Sequence, residues 1–178
     1  YKLNGTKLTI SGSGKMTDYN STSKAPWFSD MSKITEVIIG DEITYIGSES
    51  FNGASSLSKV TIGKKVESIG ISAFYECIKI KTITLPYSLK TIKKKAFYGC
   101  EGLSTITIPN LVKTIEDDVF YYCSSMKTIN LGSSVETIGA FAFAYTTLTE
   151  ITLPYHVKSI GEHVFYETSI SKITFAGV

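Results

Sequence analysis

Three cysteines recur at an interval of 23 residues, at Cys77, Cys100 and Cys123. Thiols can act as nucleophiles, metal ligands or disulfide partners, so this row is the first candidate for chemistry. If the repeats stack at about 5 Å, neighbouring cysteines fall within the Cα separation that a disulfide allows. The number of cysteines is odd, however, and the same position one interval earlier holds Ala54. Because a small apolar residue shares the position, we expect free, buried and inert thiols.

The other groups that could carry catalysis form no recognisable motif. The adjacent pair Asp117–Asp118 could supply two carboxylates, but the same position one interval earlier holds Lys94–Lys95, which is typical of an exposed, variable loop. We expect Lys93, Lys94 and Lys95 to face Glu116, Asp117 and Asp118 across adjacent coils as surface ion pairs. His156 and His163 have no cysteine nearby in the sequence to complete a metal site. We therefore predict no enzyme activity, no catalytic residue, no metal site and no cofactor.

The cysteine interval belongs to a repeat that runs through most of the chain. A row of phenylalanines keeps the 23-residue spacing, shortened to 22 in the last interval, at Phe51, Phe74, Phe97, Phe120, Phe143 and Phe165. A period in this range is typical of a solenoid, in which each repeat forms one coil. We therefore predict an α/β repeat solenoid with a right-handed coil of 22–23-residue units, rich in β-structure.

Each unit follows one pattern of apolar residues. Alternation such as Ile106-Thr107-Ile108 predicts a half-buried strand of a parallel sheet. The strands start at equivalent positions, at Val37, Val60, Ile83, Ile106, Ile129, Ile151 and Ile173. A second apolar stretch follows each strand, and the segment around the phenylalanine predicts one short helical or 3₁₀ turn. One coil buries too little apolar area to offset an ordering entropy of ~1–2 kcal/mol per residue, so we expect neighbouring coils to stabilise one another.

The pattern from Leu103 to Cys123, together with its copies, resembles the BspA-type leucine-rich repeats of surface proteins from host-associated bacteria and mucosal protists. The resemblance extends over roughly Val37 to Val178 and implies a leucine-rich-repeat-like coil in a secreted or cell-surface protein. The segments Leu8–Gly14 and Ala25–Trp27 resemble the amino-terminal cap of that family.

The predicted organisation is a cap and linker over residues 1–36 and a repeat array of six units and a partial seventh over residues 37–178. Asn4-Gly5 between two apolar stretches predicts a hairpin in the cap. We expect Trp27 and Phe28 to cover the first coil. Because the chain stops at Val178 without a polar closing element, we also expect the natural array to continue.

Composition excludes several classes of partner. The chain has a net charge of +2 and no arginine, which disfavours binding to nucleic acid. It also lacks an apolar run close to the ~20 residues that a membrane span requires, so direct membrane insertion is not expected.

Two rows of surface residues are candidates for ligand binding. One lies on the outward face of the predicted main sheet, at Thr82, Thr84, Thr105, Thr107, Thr128, Asn130 and Thr152. Such rows are common on solvated sheets, where threonine favours β-structure, but they could also form a platform for glycans or extended protein.

The other row is tyrosine. Tyr75, Tyr98, Tyr121 and Tyr166 keep the repeat spacing, which favours a packing role. Four tyrosines depart from that row and are better candidates for ligand contact, at Tyr87, Tyr122, Tyr145 and Tyr155.

The sequence thus predicts a non-catalytic, monomeric, secreted or surface-displayed module that binds an extracellular protein or glycan ligand. The resemblance implies an adhesin toward host extracellular matrix or cell-surface glycoproteins. Two alternatives stay open: a structural stalk within a longer surface protein, and a segment that targets an enzyme whose catalytic domain lies elsewhere.

Overall fold

The computed structural model describes residues 1–177, so Val178 at the end of the predicted array lies outside the described residues. The chain winds into a solenoid of short strands, with a 3₁₀ helix at Phe28–Lys33 in the cap. The strands are β1 (Lys2–Asn4), β2 (Lys7–Ile10), β3 (Gly14–Lys15), β4 (Glu36–Ile39), β5 (Ile43–Ile46), β6 (Lys59–Thr61), β7 (Ser68–Ile69), β8 (Thr91–Ile92), β9 (Thr105–Thr107), β10 (Thr114–Ile115), β11 (Thr128–Asn130), β12 (Thr137–Ile138), β13 (Glu150–Leu153), β14 (Ser159–Ile160) and β15 (Lys172–Phe175).

Two sides of each coil are parallel β-structure. The first side, the main sheet, pairs β2 with β4 and β4 with β6, then β9 with β11, and β13 with β15. Equivalent residues of adjacent coils lie opposite each other, as Thr128 does with Thr105. The coil that contains Ile83 contributes only a bridge from Thr82 to Thr105, so the strand predicted there does not form. The predicted parallel sheet is otherwise confirmed.

The second side is a continuous sheet of seven strands in the order β14-β12-β10-β8-β7-β5-β3. Its strands are parallel, with Ile115 opposite Ile92 and Ile138. The cap joins both sides, because β2 pairs with β4 and β3 pairs with β5. The predicted hairpin is also confirmed, since β1 and β2 are antiparallel around Asn4-Gly5. The cap strands therefore supply backbone partners for the first coil.

The third side, here called the turn column, consists of residues 47–54, 70–77, 93–100, 116–123, 139–146 and 161–168. The predicted short turns are present as single 3₁₀-type bonds but build no continuous helix, because alternate N–H groups donate to different coils. Phe97 N–H donates to Val119 O of the next coil (3.0 Å), whereas Tyr98 N–H donates to Lys95 O of its own coil (3.1 Å). Lys95 (φ 59°) and Gly99 (φ 66°) adopt left-handed conformations, which interrupt any helix.

The phenylalanines form the predicted ladder through the centre of the solenoid. From Phe51 to Phe165 the ring centroids of adjacent rungs lie 5.2–6.0 Å apart, and the ring planes differ by 2–18°. The five rungs before Phe165 are fully buried. Aromatic contacts of this kind add ~0.5–1.5 kcal/mol per pair to the gain from burial. Each coil therefore completes its core with the ring of its neighbour.

Trp27 closes the amino-terminal end of this ladder, as predicted. Its ring stacks on Phe51 at 5.9 Å, and its Nε1–H donates to Ser50 O (2.9 Å). Phe28 does not help to close it, because it lies at the outer start of the 3₁₀ helix and is 47% exposed. The Lys24 ammonium lies 4.6 Å from the centroid of the Phe28 ring instead.

The close approach of the coils requires glycine at some positions. A Cβ on Gly63 would lie 2.2 Å from Gly40 O of the preceding coil. A Cβ on Gly70 would lie 2.5 Å from Ser48 N. Gly40 O accepts a hydrogen bond from Ile43 N–H, and Ser48 N–H donates to Asp18 Oδ1, so neither atom can move without loss of a bond. The two glycines therefore permit the close stacking.

Among the fully buried side-chain N and O atoms of residues 1–177, Ser50 Oγ is the one that forms no hydrogen bond. The whole residue is fully buried. The equivalent positions of later coils hold Ala73, Ala96 and Ala142. An unpaired buried hydroxyl costs about 1–3 kcal/mol, so the serine destabilises the first coil.

We predict that Ser50→Ala raises the free energy of unfolding by about 1 kcal/mol, because it removes the unpaired hydroxyl and keeps the Trp27 bond to the backbone. Ser88→Ala is the matched control, since Ser88 Oγ donates to Lys64 O or Val66 O (2.8 and 2.6 Å) and its loss should destabilise the protein. Urea unfolding of both variants measures the change. A decrease in stability for Ser50→Ala would contradict this account.

Candidate functional site

A groove on the outward face of the main sheet is the first of two candidate binding surfaces. It encloses about 1020 Å³ and lies across β11, β13 and β15. The strand alternation directs Ile129 and Ile151 into the core and leaves Thr128, Asn130 and Thr152 exposed. The structure therefore brings together three of the predicted sheet residues.

Polar groups of mixed character line the groove. Asn130 Nδ2 donates to Thr107 Oγ1 of the preceding coil (3.3 Å), which orients the amide along the sheet. Glu150 and Lys172 occupy equivalent positions on paired strands and add one charge of each sign. Tyr155 stands at the rim and is 62% exposed. Such a lining can exchange hydrogen bonds with sugar hydroxyls or with an extended peptide.

The other predicted sheet residues lie outside the groove. Thr82, Thr84, Thr105 and Thr107 are exposed on the same face, in the coils that precede it. Tyr87 follows the Thr84 segment and is 92% exposed, away from the groove lining. The eleven predicted contact residues therefore do not form one site.

Tyr122 and Tyr145 belong to the second candidate surface, on the turn column. Their ring centroids lie 5.6 Å apart, and both rings contact Tyr121. Tyr145 also contacts Tyr166 at 5.5 Å. The two irregular tyrosines thus join the regular row, whereas Tyr87 and Tyr155 lie at the turns after the main sheet.

The regular tyrosines pack on one another, as their spacing indicates. Tyr75, Tyr98 and Tyr121 stack at 4.6 and 4.8 Å, with planes 7° and 12° apart. Desolvation, with added repulsion from Tyr75, Tyr121, Asp118 and Glu76, raises the pKa of Tyr98 to about 12. The Tyr98 phenol therefore stays neutral over the physiological range.

The regular stack ends where Ala144 replaces tyrosine in the next coil. Ala144 is fully buried, and the ring of the following residue, Tyr145, contacts the tyrosines on either side at angles of 62° and 75°. The periodicity of the sequence does not reveal that Tyr145 takes the place that Ala144 leaves empty in the tyrosine row.

Sequence reasoning also missed Phe141 and His163 beside this surface. Their rings stack at 5.1 Å, and Phe141 contacts Tyr121 at 6.3 Å. Phe141 (φ 56°) and His163 (φ 56°) occupy the left-handed position of their coils. The sequence does carry a signal for them, because both occupy the same position of the repeat. Bulky residues are uncommon where the backbone is left-handed, so they stand out once the conformation of that position is known.

The Asp117–Asp118 pair serves as a link between coils. The Lys94 ammonium lies 3.5 Å from Asp117 and 3.7 Å from Asp118, as the predicted pairing required. Asp117 Oδ1 also accepts a hydrogen bond from Ala140 N–H of the following coil (3.0 Å). Neither Lys93 nor Lys95 forms an ion pair within residues 1–177. One carboxylate thus connects three coils.

The described part of the chain offers no group of three His, Cys, Asp or Glu side chains that could hold a metal ion. No helix within residues 1–177 is long and apolar enough to cross a membrane.

The cysteines are free and fully buried. Each thiol donates to the carbonyl of the phenylalanine one coil earlier, as Cys77 does to Phe51 O (3.2 Å) and Cys100 to Phe74 O (3.2 Å). The expectation of free, buried thiols is confirmed. The hydrogen bonds to the carbonyls give cysteine a role at this position that alanine could not fill.

Comparison with known proteins identifies the repeat. The model of the BspA type leucine rich repeat region matches residues 21–146 and 67–177, with six copies. The chain belongs to the BspA-type leucine-rich repeat family.

Solved structures of bacterial proteins share this BspA-type fold. A leucine rich cell surface protein from Faecalibacterium prausnitzii A2-165 is 34% identical, with a TM-score of 0.83 over 98% of this chain and 48% of its own length. The chain therefore spans about half of that protein. A leucine rich repeat protein of T. pallidum is 17% identical, with a TM-score of 0.71 over 96% of this chain and 73% of that one. The pneumococcal vaccine antigen PcpA is 20% identical, with a TM-score of 0.54, and matches over 97% of this chain and 41% of its own.

A search of curated proteins gives no match. Leucine-rich repeat modules are in general non-catalytic binding modules, and the BspA-type solenoid described above is built like them, with a core of repeated residues and an outer surface that varies from coil to coil.

We predict that the three BspA-type thiols resist iodoacetamide at pH 8 in the folded protein and react after denaturation. Burial raises the pKa of Cys100 from 9.0 to about 12 and raises those of Cys77 and Cys123 well above the ordinary value. Mass spectrometry of the labelled protein measures the reaction. Labelling of the native protein at the rate of a free thiol would contradict the burial.

The same shifts predict a pH dependence of stability. A thiol whose folded pKa is raised contributes fully below the unfolded pKa and loses its contribution as the pH rises through the folded value. The free energy of unfolding should therefore fall between pH 9 and about 12. A variant with alanine at all three positions, as in the coil of Ala54, should lose less stability over this range.

Proposed function

We propose that this chain is a non-catalytic, monomeric adhesive module that binds extracellular matrix or cell-surface glycoproteins of a host through the groove on its main sheet. The proposal includes a secreted or cell-surface location. The observation that carries it is the groove itself, a large concave surface whose lining combines apolar residues with exposed polar side chains.

The groove suits a ligand rich in hydroxyl and amide groups. Thr128 and Asn130 present short polar side chains from β11 and Thr152 presents one from β13, so adjacent coils can contact successive groups of an extended ligand. Short side chains lose little entropy when they are fixed by a ligand. Tyr155 adds an amphipathic ring at the rim, of the kind that packs against sugars and peptides.

The location is supported by the relatives. The Faecalibacterium protein, which is 34% identical to this chain, is a leucine rich cell surface protein. A binding role is also supported by the repeat architecture, since solenoids offer extended surfaces without a catalytic cavity. The carboxylates of Asp117 and Asp118 are already engaged with Lys94 and Ala140.

A structural stalk within a longer surface protein is the second candidate. The match to only 48% of the Faecalibacterium protein favours it, because the remainder of such a protein could carry the binding site or an enzyme that this segment targets. The stalk and the adhesin differ in one respect: only the adhesin has a ligand for its groove.

We predict saturable binding of the purified chain to at least one matrix glycoprotein or glycan on an array. Thr152→Lys should weaken that binding at least tenfold, about 1.4 kcal/mol, because a long cationic side chain fills the groove. Thr84→Lys is the matched control, since Thr84 is exposed on the same face outside the groove and its replacement should leave the affinity unchanged.

Circular dichroism of both variants establishes that they fold. If the folded chain binds nothing on the array, the adhesin is excluded and the stalk is supported. If Thr84→Lys and Thr152→Lys weaken binding equally, the ligand does not occupy the groove.

A further inference from the structure

The turn column carries a second surface that the groove does not explain. Here the tyrosine patch is defined as Tyr121, Tyr122, Tyr145 and Tyr166. Tyr122 (φ 60°) and Tyr145 (φ 57°) adopt left-handed backbone conformations. The other coils hold Gly53, Glu76, Gly99 and Glu167 at this position, and all four are left-handed as well. The conformation therefore belongs to the repeat, and what distinguishes these two coils is that an aromatic side chain occupies the position.

The tyrosines of the patch are all at least partly exposed. Tyr145 lies at the centre, 5.2 Å from Tyr121, 5.6 Å from Tyr122 and 5.5 Å from Tyr166. Tyr122 and Tyr166 are 46% and 45% exposed. The patch therefore presents aromatic rings at the surface, where a partner can reach them.

Ring orientation separates the patch from the regular stack. In the stack, Tyr75, Tyr98 and Tyr121 are nearly coplanar and cover one another's faces. In the patch, the ring plane of Tyr145 is inclined by 44° to 75° to the ring planes of its neighbours. Its ring therefore makes contacts through edges as well as faces. Ring faces that are not covered by another ring carry negative quadrupole potential and attract cations.

The surrounding charge is negative. The last three segments of the turn column, residues 116–123, 139–146 and 161–168, contain five carboxylates and no lysine. Glu167 follows Tyr166 directly. Desolvation raises the pKa of Tyr145, and repulsion from Tyr121, Tyr166 and Glu167 raises it further. Lys94 neutralises part of the charge of Asp117 and Asp118, whereas Glu162 and Glu167 form no ion pair within residues 1–177.

The chain itself shows that this row of tyrosines accepts an ammonium group. The Lys95 Nζ lies 5.7 Å from the centroid of the Tyr98 ring, two coils before the centre of the patch. Near the patch itself the turn column supplies carboxylates and rings but no cation of its own. Charge complementarity therefore points to a cation from a partner.

We propose that the tyrosine patch is a second binding site, which takes lysine or arginine side chains of an extended segment of a partner protein. The cation lies against the rings of Tyr122 and Tyr145, and the carboxylate of Glu167 supplies the opposite charge. The site is independent of the groove, because the turn column and the main sheet are different sides of the coil.

The test uses a synthetic, blocked peptide in which lysine alternates with glycine, titrated into the whole chain by calorimetry. Tyr145→Gly and Tyr122→Gly remove the rings and place at each position the residue found in other coils, so both variants should fold. Each should weaken binding of the lysine peptide at least about tenfold. Tyr87→Gly is the matched control, since Tyr87 is exposed elsewhere on the surface and its loss should change nothing.

Two further titrations complete the test. The same peptide with acetylated lysines should bind at least about tenfold more weakly, because acetylation removes the charge. Thr152→Lys in the groove should leave binding of the lysine peptide unchanged, which separates this site from the proposed adhesive one. Equal affinity for the charged and acetylated peptides, or unchanged affinity after Tyr145→Gly, would overturn the proposal.

Discussion

The whole structure depends on one constraint, which is that no coil can bury its own core. A unit of 22–23 residues supplies few apolar side chains, and the missing area comes from the rungs above and below it. The phenylalanine ladder, the two parallel sheets and the alternating bonds of the turn column all satisfy this constraint. They require the same register, so the backbone of each coil is fixed by its neighbours, and glycines such as Gly63 maintain the close approach.

This constraint divides the side chains into two groups with different freedom. Inward positions are repeated because each must fit the ring or methyl group of the adjacent coil, as Cys77 fits beneath the Phe51 carbonyl. Outward positions are held in place by the same backbone but are free to vary, so any distinctive chemistry must lie there. The groove across β11, β13 and β15 and the tyrosine patch are two such regions, on different sides of one rigid scaffold.

The repeated core could be predicted from the sequence because each buried position is sampled several times, and the strands, the ladder and the thiols follow from it. The turn column could not, because its conformation depends on hydrogen bonds to the next coil, such as Phe97 N–H to Val119 O. The place of Tyr145 depends on Ala144, a single departure from the repeat. The groove depends on how the strands carrying Thr128 and Thr152 are disposed in space, which spacing along the chain does not encode.

The central claim is that neighbouring coils supply each other's core, and a pair of double-mutant cycles tests it most directly. Unfolding free energies would be measured for Phe97→Leu, Phe120→Leu and both together, and for Phe74→Leu, Phe143→Leu and both together. The first pair is in contact at 5.6 Å and should show a coupling energy of at least ~0.5 kcal/mol. The second pair has two rungs between its members and should be additive within ~0.3–0.5 kcal/mol. Equal coupling in the two cycles, or none in either, would contradict the account.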